Sequence, residues 1–239
     1  MKILSIDVGI YNLAICVLNI TDNISIEYWS DLNILKGKEY CSTPKCKRVT
    51  THVYENNNYC IKCKTSLFKN KRLQTIKTAV NTSIEKIASE LYDTLNNENF
   101  GDIDLVLIEN QPTRNIKMKN ISMLLLGYFT MKNIKCSFVN ATKKMELIEN
   151  KLPNTYNNRK KSSKLTVKQL IQNTDWEILF KTNKKQDDLS DCLLQGIWYV
   201  KNFINKDIPV KIIQSETNSL VQSEPEAVQQ SKQTLVCSK

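Results

Sequence analysis

Three short acidic motifs carry the side chains best suited to chemistry. In Ile3 to Asn12, Ile-Leu-Ser-Ile-Asp-Val-Gly-Ile-Tyr-Asn, a short apolar run ends at Asp7, and Gly9 lets the backbone turn close beside it. In Leu105-Val106-Leu107-Ile108-Glu109-Asn110-Gln111-Pro112 a second apolar strand also stops at an acid. The third motif, Lys184-Lys185-Gln186-Asp187-Asp188-Leu189-Ser190-Asp191, opens a helix whose first turn projects Asp188 and Asp191, three apart, on one face. One or two acids there would serve as caps on the helix dipole, but three within five residues exceed that need. A carboxylate at a buried strand end requires a cation or hydrogen-bond donors. Taken together, Asp7, Glu109, Asp188 and Asp191 are the oxygen-rich set that Mg²⁺ prefers. Such a set can hold two ions about 4 Å apart and drive in-line attack of water on a phosphodiester.

A different chemistry is written between Cys41 and Cys63, where four of the eight cysteines occur as Cys41-x4-Cys46 and, thirteen residues on, Cys60-x2-Cys63. Two close pairs separated by a hairpin-length segment suit a tetrahedral Zn²⁺ site. Val49, Thr50, Thr51, Val53 and Tyr54 favour strands, and Glu55 to Asn58 supplies the turn. The expectation is a zinc ribbon ligated by Cys41, Cys46, Cys60 and Cys63. His52, the only histidine, is an alternative ligand, although four thiolates already complete the shell. Lys45, Lys47, Arg48, Lys62 and Lys64 add positive charge around it.

These residues need elements to position them. Leu13 to Leu18 reads as an antiparallel partner of the first strand, and Ser25 to Leu35 as a third strand. Ile76, Val80, Ile84, Ile87, Leu91 and Leu95 form a stripe that predicts a helix over Arg72 to Asn97 facing a sheet. Helical spacing resumes over Ile121 to Met131, followed by a short strand around Cys136 to Val139. Lys143 to Lys164 holds seven cations against two anions and reads as a mobile strand-contacting loop before a helix over Leu165 to Gln172. The Gln-, Ser- and Glu-rich tail from Gln214 reads as disordered.

The whole chain has 239 residues and a net charge of +10, which favours a polyanionic partner such as nucleic acid. Its apolar runs are too short for a membrane span, and no charged-then-apolar leader precedes the first strand, so an intracellular location is expected.

Asp7-Val8-Gly9, Ile108-Glu109-Asn110-Gln111-Pro112 and Lys185-x-Asp187-Asp188-x-x-Asp191, in that order, resemble the RNase H-like Holliday junction resolvases of the RuvC type, above all the poxvirus and fungal mitochondrial branch. The resemblance covers Met1 to about Phe203 apart from the cysteine insert. It implies an α/β fold with a mixed sheet flanked by helices, formed by residues 1–35 and 69–210. Residues 36–68 would be a zinc-ribbon-like insertion and residues 211–239 a tail. It further implies Mg²⁺-dependent nicking of four-way DNA junctions by a homodimer, with Mn²⁺ as a substitute. The two-fold symmetry of such a junction makes paired nicks by a dimer physically sensible. A viral member would work in the host cytoplasm.

Carried onto this chain, the metal-binding acids are Asp7, Glu109, Asp188 and Asp191, with Asp187 as an alternative. The family's lysine near the scissile phosphate falls on Lys160 or Lys161, of which Lys161 is taken, with Lys143 behind. Other readings are an RNase H acting on RNA–DNA hybrid, a flap nuclease, an ATPase of the related actin/hexokinase fold and a non-catalytic binding module. The ATPase fold needs a second glycine-bearing phosphate loop, whereas Asp7-Val8-Gly9 is the only Asp-x-Gly here.

Overall fold

Strand alternation decides which side of a sheet each acid faces, and here it sends the strand acids to one face. Described in a computed structural model are residues 1–35, 40–75, 82–148, 153, 155–210 and 212–213. The elements are β1 (Lys2–Asp7), β2 (Asn12–Ile20), β3 (Ile24–Asn33), β4 (His52–Tyr54), β5 (Asn57–Tyr59), α1 (Ile61–Leu67), β6 (Gln74–Thr75), α2 (Ile84–Asn97), β7 (Leu105–Asn110), α3 (Ile116–Met131), β8 (Lys135–Asn140), α4 (Tyr156–Leu170), α5 (Trp176–Thr182), α6 (Gln186–Tyr199) and β9 (Ile212–Ile213). A 3-10 turn covers Lys143–Leu147, and a π turn over Val200–Ile204 extends α6.

The main sheet runs β8-β7-β1-β2-β3-β9. Its β1-β2-β3 meander is antiparallel, while β7 lies parallel to β1 and β8 parallel to β7. Leu4, Ile6, Val106 and Ile108 pack on the side of α2 and α3, with Ile87, Leu91, Ile121 and Phe129. Ile3, Leu105 and Leu107 pack on the other side, against Leu193, Leu194 and Ile197 of α6. This is the mixed sheet flanked by helices that the motifs imply.

Three expectations need correcting. The helix expected from Arg72 starts at Ile84, where the Ser83 hydroxyl caps it by accepting the Lys86 amide. Upstream, Gln74–Thr75 pairs with β4, so the small three-stranded sheet β5-β4-β6 extends beyond residue 68, and Ile76 and Val80 lie outside the described residues. The basic segment expected as a loop holds the 3-10 turn Lys143–Leu147 and, from Tyr156 on, the start of helix α4, capped by Thr155 accepting from the Asn158 amide; residues 149–152 and 154 lie outside the described residues. The buried face of α4 is made of Ser162, Ser163 and Val167, small side chains that let it approach α6 without the large apolar stripe by which helices are recognised. Finally, Ile212–Ile213 pairs with Ile24 and Ser25, whereas residues 214–239 lie outside the described residues.

Candidate active site

Asp7 ends β1 and Glu109 falls near the end of β7, and the two strands run parallel with Ile6 beside Ile108. Asp7 follows Ile3 and Ser5, and Glu109 follows Leu105 and Leu107, so both carboxylates leave the sheet on the α6 side. Gly9 makes the exit from β1 possible: a Cβ there would lie 2.0 Å from the Asn12 carbonyl oxygen. On α6, Asp188, Asp191 and Gln195 follow at three- and four-residue spacing, which puts them on one face. Gln195 anchors that face by donating to the Ser5 hydroxyl and the Ile6 and Leu107 carbonyls at 3.1, 3.2 and 3.5 Å. The close seating of α6 depends on Gly196, where a Cβ would come within 2.6 Å of Leu18 Cδ1 and 3.3 Å of Ser5 Cβ.

The four acids meet in one pocket of about 430 Å³, lined also by Gln111, Lys144, Tyr156, Arg159 and Lys160. Lys144, only 8% exposed, comes from the 3-10 turn after β8. Its ammonium lies 2.8 Å from Asp191 and 3.6 Å from Glu109. Gln111 donates to the other Glu109 oxygen at 2.6 Å.

The electrostatics are those of crowded, largely buried carboxylates. Burial, reinforced by Glu109, holds the Asp7 carboxyl well above the usual range, and Lys144 only partly opposes this. Asp191 is raised by burial despite Lys144, and Asp188 by burial and the adjacent Asp187. Burial works against the Lys144 ammonium, but Asp191, Asp7 and Glu109 outweigh it and raise its pKa. Glu109 and Asp191 against buried Lys144, with Asp7 and Asp188 lining the same pocket, form a hard-oxygen donor set with excess negative charge, the donor chemistry that divalent cations such as Mg²⁺ take.

The sequence left the choice between Asp187 and Asp188 open. Asp188 lines the pocket, whereas Asp187 turns towards α4 and forms an ion pair with Lys160. Lys160 is thereby engaged on the pocket wall, and Lys161, the lysine taken from the resemblance, is exposed on α4 outside the lining. Lys143 pairs with Glu146. The lysine among the acids is Lys144. In the sequence it is the second cation of the Lys143-Lys144 pair and is followed by Met145, Leu147 and Ile148, a setting in which a lysine is buried only with acidic partners. Gln195 carries its own signal, as an amide at i+4 from Asp191 within the otherwise apolar stretch Cys192 to Trp198.

At the second centre, Cys41, Cys46, Cys60 and Cys63 bring their sulfurs within 4.8 Å of one another. The Cys46 sulfur stands 3.8 Å from that of Cys60 and 3.7 Å from that of Cys63. A tetrahedron of thiolates about 2.3 Å from Zn²⁺ has edges of about 3.8 Å, so the set can hold zinc. Thr43-Pro44-Lys45-Cys46 forms the first knuckle, a turn closed by Cys46 N to Thr43 O with Lys45 at φ 64°. This turn accommodates the wide x4 spacing. Positive φ at Glu55 and Asn56 makes the β4–β5 link a tight two-residue hairpin. His52 bonds Thr51 and stands outside the sulfur cluster.

A mixed sheet with acids from two central strands and a terminal helix defines an RNase H-like nuclease core. Residues 3–127 match the family described as mitochondrial resolvase Ydc2 / RNA splicing MRS1, and residues 83–206 match that of the poxvirus A22 protein. Each match spans more than half of the chain, which belongs to this resolvase family. The fowlpox virus resolvase, solved with substrate Holliday junction DNA, is 20% identical, with 85% of this chain and 99% of that chain covered and a TM-score of 0.50. For the yeast mitochondrial Holliday junction resolvase Ydc2 the values are 16%, 83%, 77% and 0.48. For Thermus thermophilus RuvC with a Holliday junction substrate they are 10%, 84%, 96% and 0.44. Comparison with curated protein sequences finds no match. Among the described residues no helix is long and apolar enough to cross a membrane.

Proposed function

We propose that this chain is a metal-dependent endonuclease that resolves four-way DNA junctions as a homodimer by paired phosphodiester nicks. The observation that carries the reading is the meeting of Asp7, Glu109, Asp188 and Asp191 in one pocket around Lys144. Those four acids would hold two Mg²⁺ ions, with Mn²⁺ as a substitute. When bound, such ions activate water and neutralise charge on the phosphate. The chain's own residues do the rest. Lys144 offers an ammonium to the reacting phosphodiester, Gln111 fixes the Glu109 rotamer, and Gln195 holds α6 so that Asp188 and Asp191 face the strand acids. Arg159 and Lys160, on the pocket wall beside Tyr156, meet the strand's negative charge.

The four cysteines would hold one structural Zn²⁺ in a ribbon over residues 36–68, to which β6 adds a strand, inserted into the core that β1–β3 and the elements from α2 onward form. A homodimer supplies two such pockets to a substrate with two-fold symmetry.

Cleavage of a labelled four-way junction beside matched duplex, flap and RNA–DNA hybrid, with and without Mg²⁺, tests this function. Mg²⁺-dependent symmetric nicks in the junction support it. Preferential cutting of the hybrid would move the chain to RNase H chemistry on the same four acids, and no cutting of any substrate would remove the nuclease reading.

A further inference from the structure

The cysteine-centred element carries a charge that its own fold does not need. Residues 40–75 hold eight of the chain's lysines and arginines and one acid, Glu55, a net +7 out of the chain's +10. Among the described residues, no ion pair joins any of these cations to a carboxylate. Arg48 donates to the Cys46 sulfur, and Lys71 donates to the Tyr54 hydroxyl. Lys45, Lys47, Lys62 and Lys69 are exposed and Lys64 partly so. Even four thiolates on one dication, a centre of charge −2, would leave the element strongly positive.

Geometry gathers that charge. Lys45 and Lys47 flank Cys46, and Lys62 and Lys64 flank Cys63, while the four sulfurs converge within 4.8 Å. Backbones one residue from converging ligands lie within roughly 20 Å of one another. Lys62 and Lys69 share a shallow cavity with Ile61, Thr65 and Ser66 along the outer face of α1. Double-stranded DNA presents a negative charge about every 1.7 Å of its axis, so a patch of this span faces several phosphates.

Topology tethers the element at the end of the sheet that carries the acids. The chain leaves for the element after Asn33, which pairs with Asn12 beside the Asp7–Gly9 turn, and the Ile34 amide bonds Tyr11 O. It returns at Thr82, whose carbonyl accepts from Lys117 in the first turn of α3, just after β7 has delivered Glu109. Both attachment points therefore lie at the end of the sheet that carries the acids.

We infer that the cysteine-centred element is a second phosphate-binding surface, which grips a duplex arm of the DNA whose branch point occupies the carboxylate pocket. This rests on the nuclease reading and adds a contact outside the pocket. The surface supplies affinity without base recognition, so its contribution falls steeply with salt.

The test compares junction binding by full-length Asp7→Asn protein with and without Lys47→Gln, Lys62→Gln, Lys64→Gln and Lys69→Gln, across a salt series. The four changes should lower the slope of log K against log [salt] by about 3–4 and weaken binding at least tenfold near 150 mM salt. The matching set of four Lys→Arg changes, which keeps the charge, should retain slope and affinity and so separates charge from folding. With Asp7 intact, the Gln set should nick junctions at the parental single-turnover rate once DNA is saturated. An unchanged slope and affinity in the Gln set, or an equal loss in the Arg set, overturns the inference while leaving the nuclease reading intact. Failure of the Asp7→Asn parent itself to bind any junction overturns both.

Discussion

Lys144→Met tests the electrostatic account of the pocket, because it removes one charge and little volume. At an effective dielectric of about 20, the contacts at 2.8 Å to Asp191 and 3.6 Å to Glu109 have gross attractions of about 6 and 5 kcal/mol. Desolvation of the buried ammonium offsets much of this. Removing one partner of a buried pair nevertheless costs about 3–5 kcal/mol, because the other charge is left uncompensated. For a chain of this size that lowers Tm by about 6–20 °C in buffer without added divalent metal.

The pH dependence has a definite sign. Asp7 and Asp191 have folded pKa values raised above those of the unfolded chain. Each therefore favours the fold fully below about pH 4 and loses that contribution as pH rises through its folded value. Lys144, raised in the fold, contributes stability fully present below its unfolded value of about 10.4 and lost above its folded value. The Lys144→Met deficit should thus be small in acid, where the carboxylates are neutral, and grow towards neutral pH. Added Mg²⁺ should restore much of it. Thermal unfolding by circular dichroism from pH 5 to 8 reads this directly. A deficit under about 1 kcal/mol at pH 7, or one independent of pH, refutes the reasoning.

Other expectations follow from single contacts. Gly9→Ala places a Cβ against the Asn12 carbonyl and should cost about 2–4 kcal/mol while displacing Asp7, read as a lower Tm together with lost cleavage. Purified protein should contain about one zinc per chain by atomic absorption, and Cys60→Ser with Cys63→Ser should abolish it. Full stability without zinc would remove the ribbon assignment. Lys161→Ala should leave cleavage within about threefold of the parent, whereas Lys144→Met should lower it more than a hundredfold. The reverse order would return the phosphate-contacting role to Lys161.

What the sequence made legible follows from which forces are local. Asp7 and Glu109 stand out because a charged residue ending an apolar strand is costly, and strand alternation then fixes the face each one takes. Spacing likewise sets Asp188 and Asp191 on one helical face. The Cys41-x4-Cys46 and Cys60-x2-Cys63 pairs converge because each knuckle is itself a local turn. Lys144 was missed because its burial depends on acids 35 residues upstream and 47 downstream, a tertiary fact with no periodic trace. The N-terminal part of helix α4, before Leu165, was missed because Ser162 and Ser163 form its buried face. The start of α2 was misplaced because apolar spacing continued through a segment whose backbone, at Gln74–Thr75, pairs with β4.

Four carboxylates are expected to act together on a branched DNA, and Asp7→Asn tests this most directly. It removes a buried charge without removing bulk, so the protein should fold at least as stably as the parent and still bind junctions. Single-turnover cleavage of a labelled four-way junction with Mg²⁺ should fall by more than about a thousandfold. Symmetric nicking by Asp7→Asn at the parental rate would contradict the account at its centre.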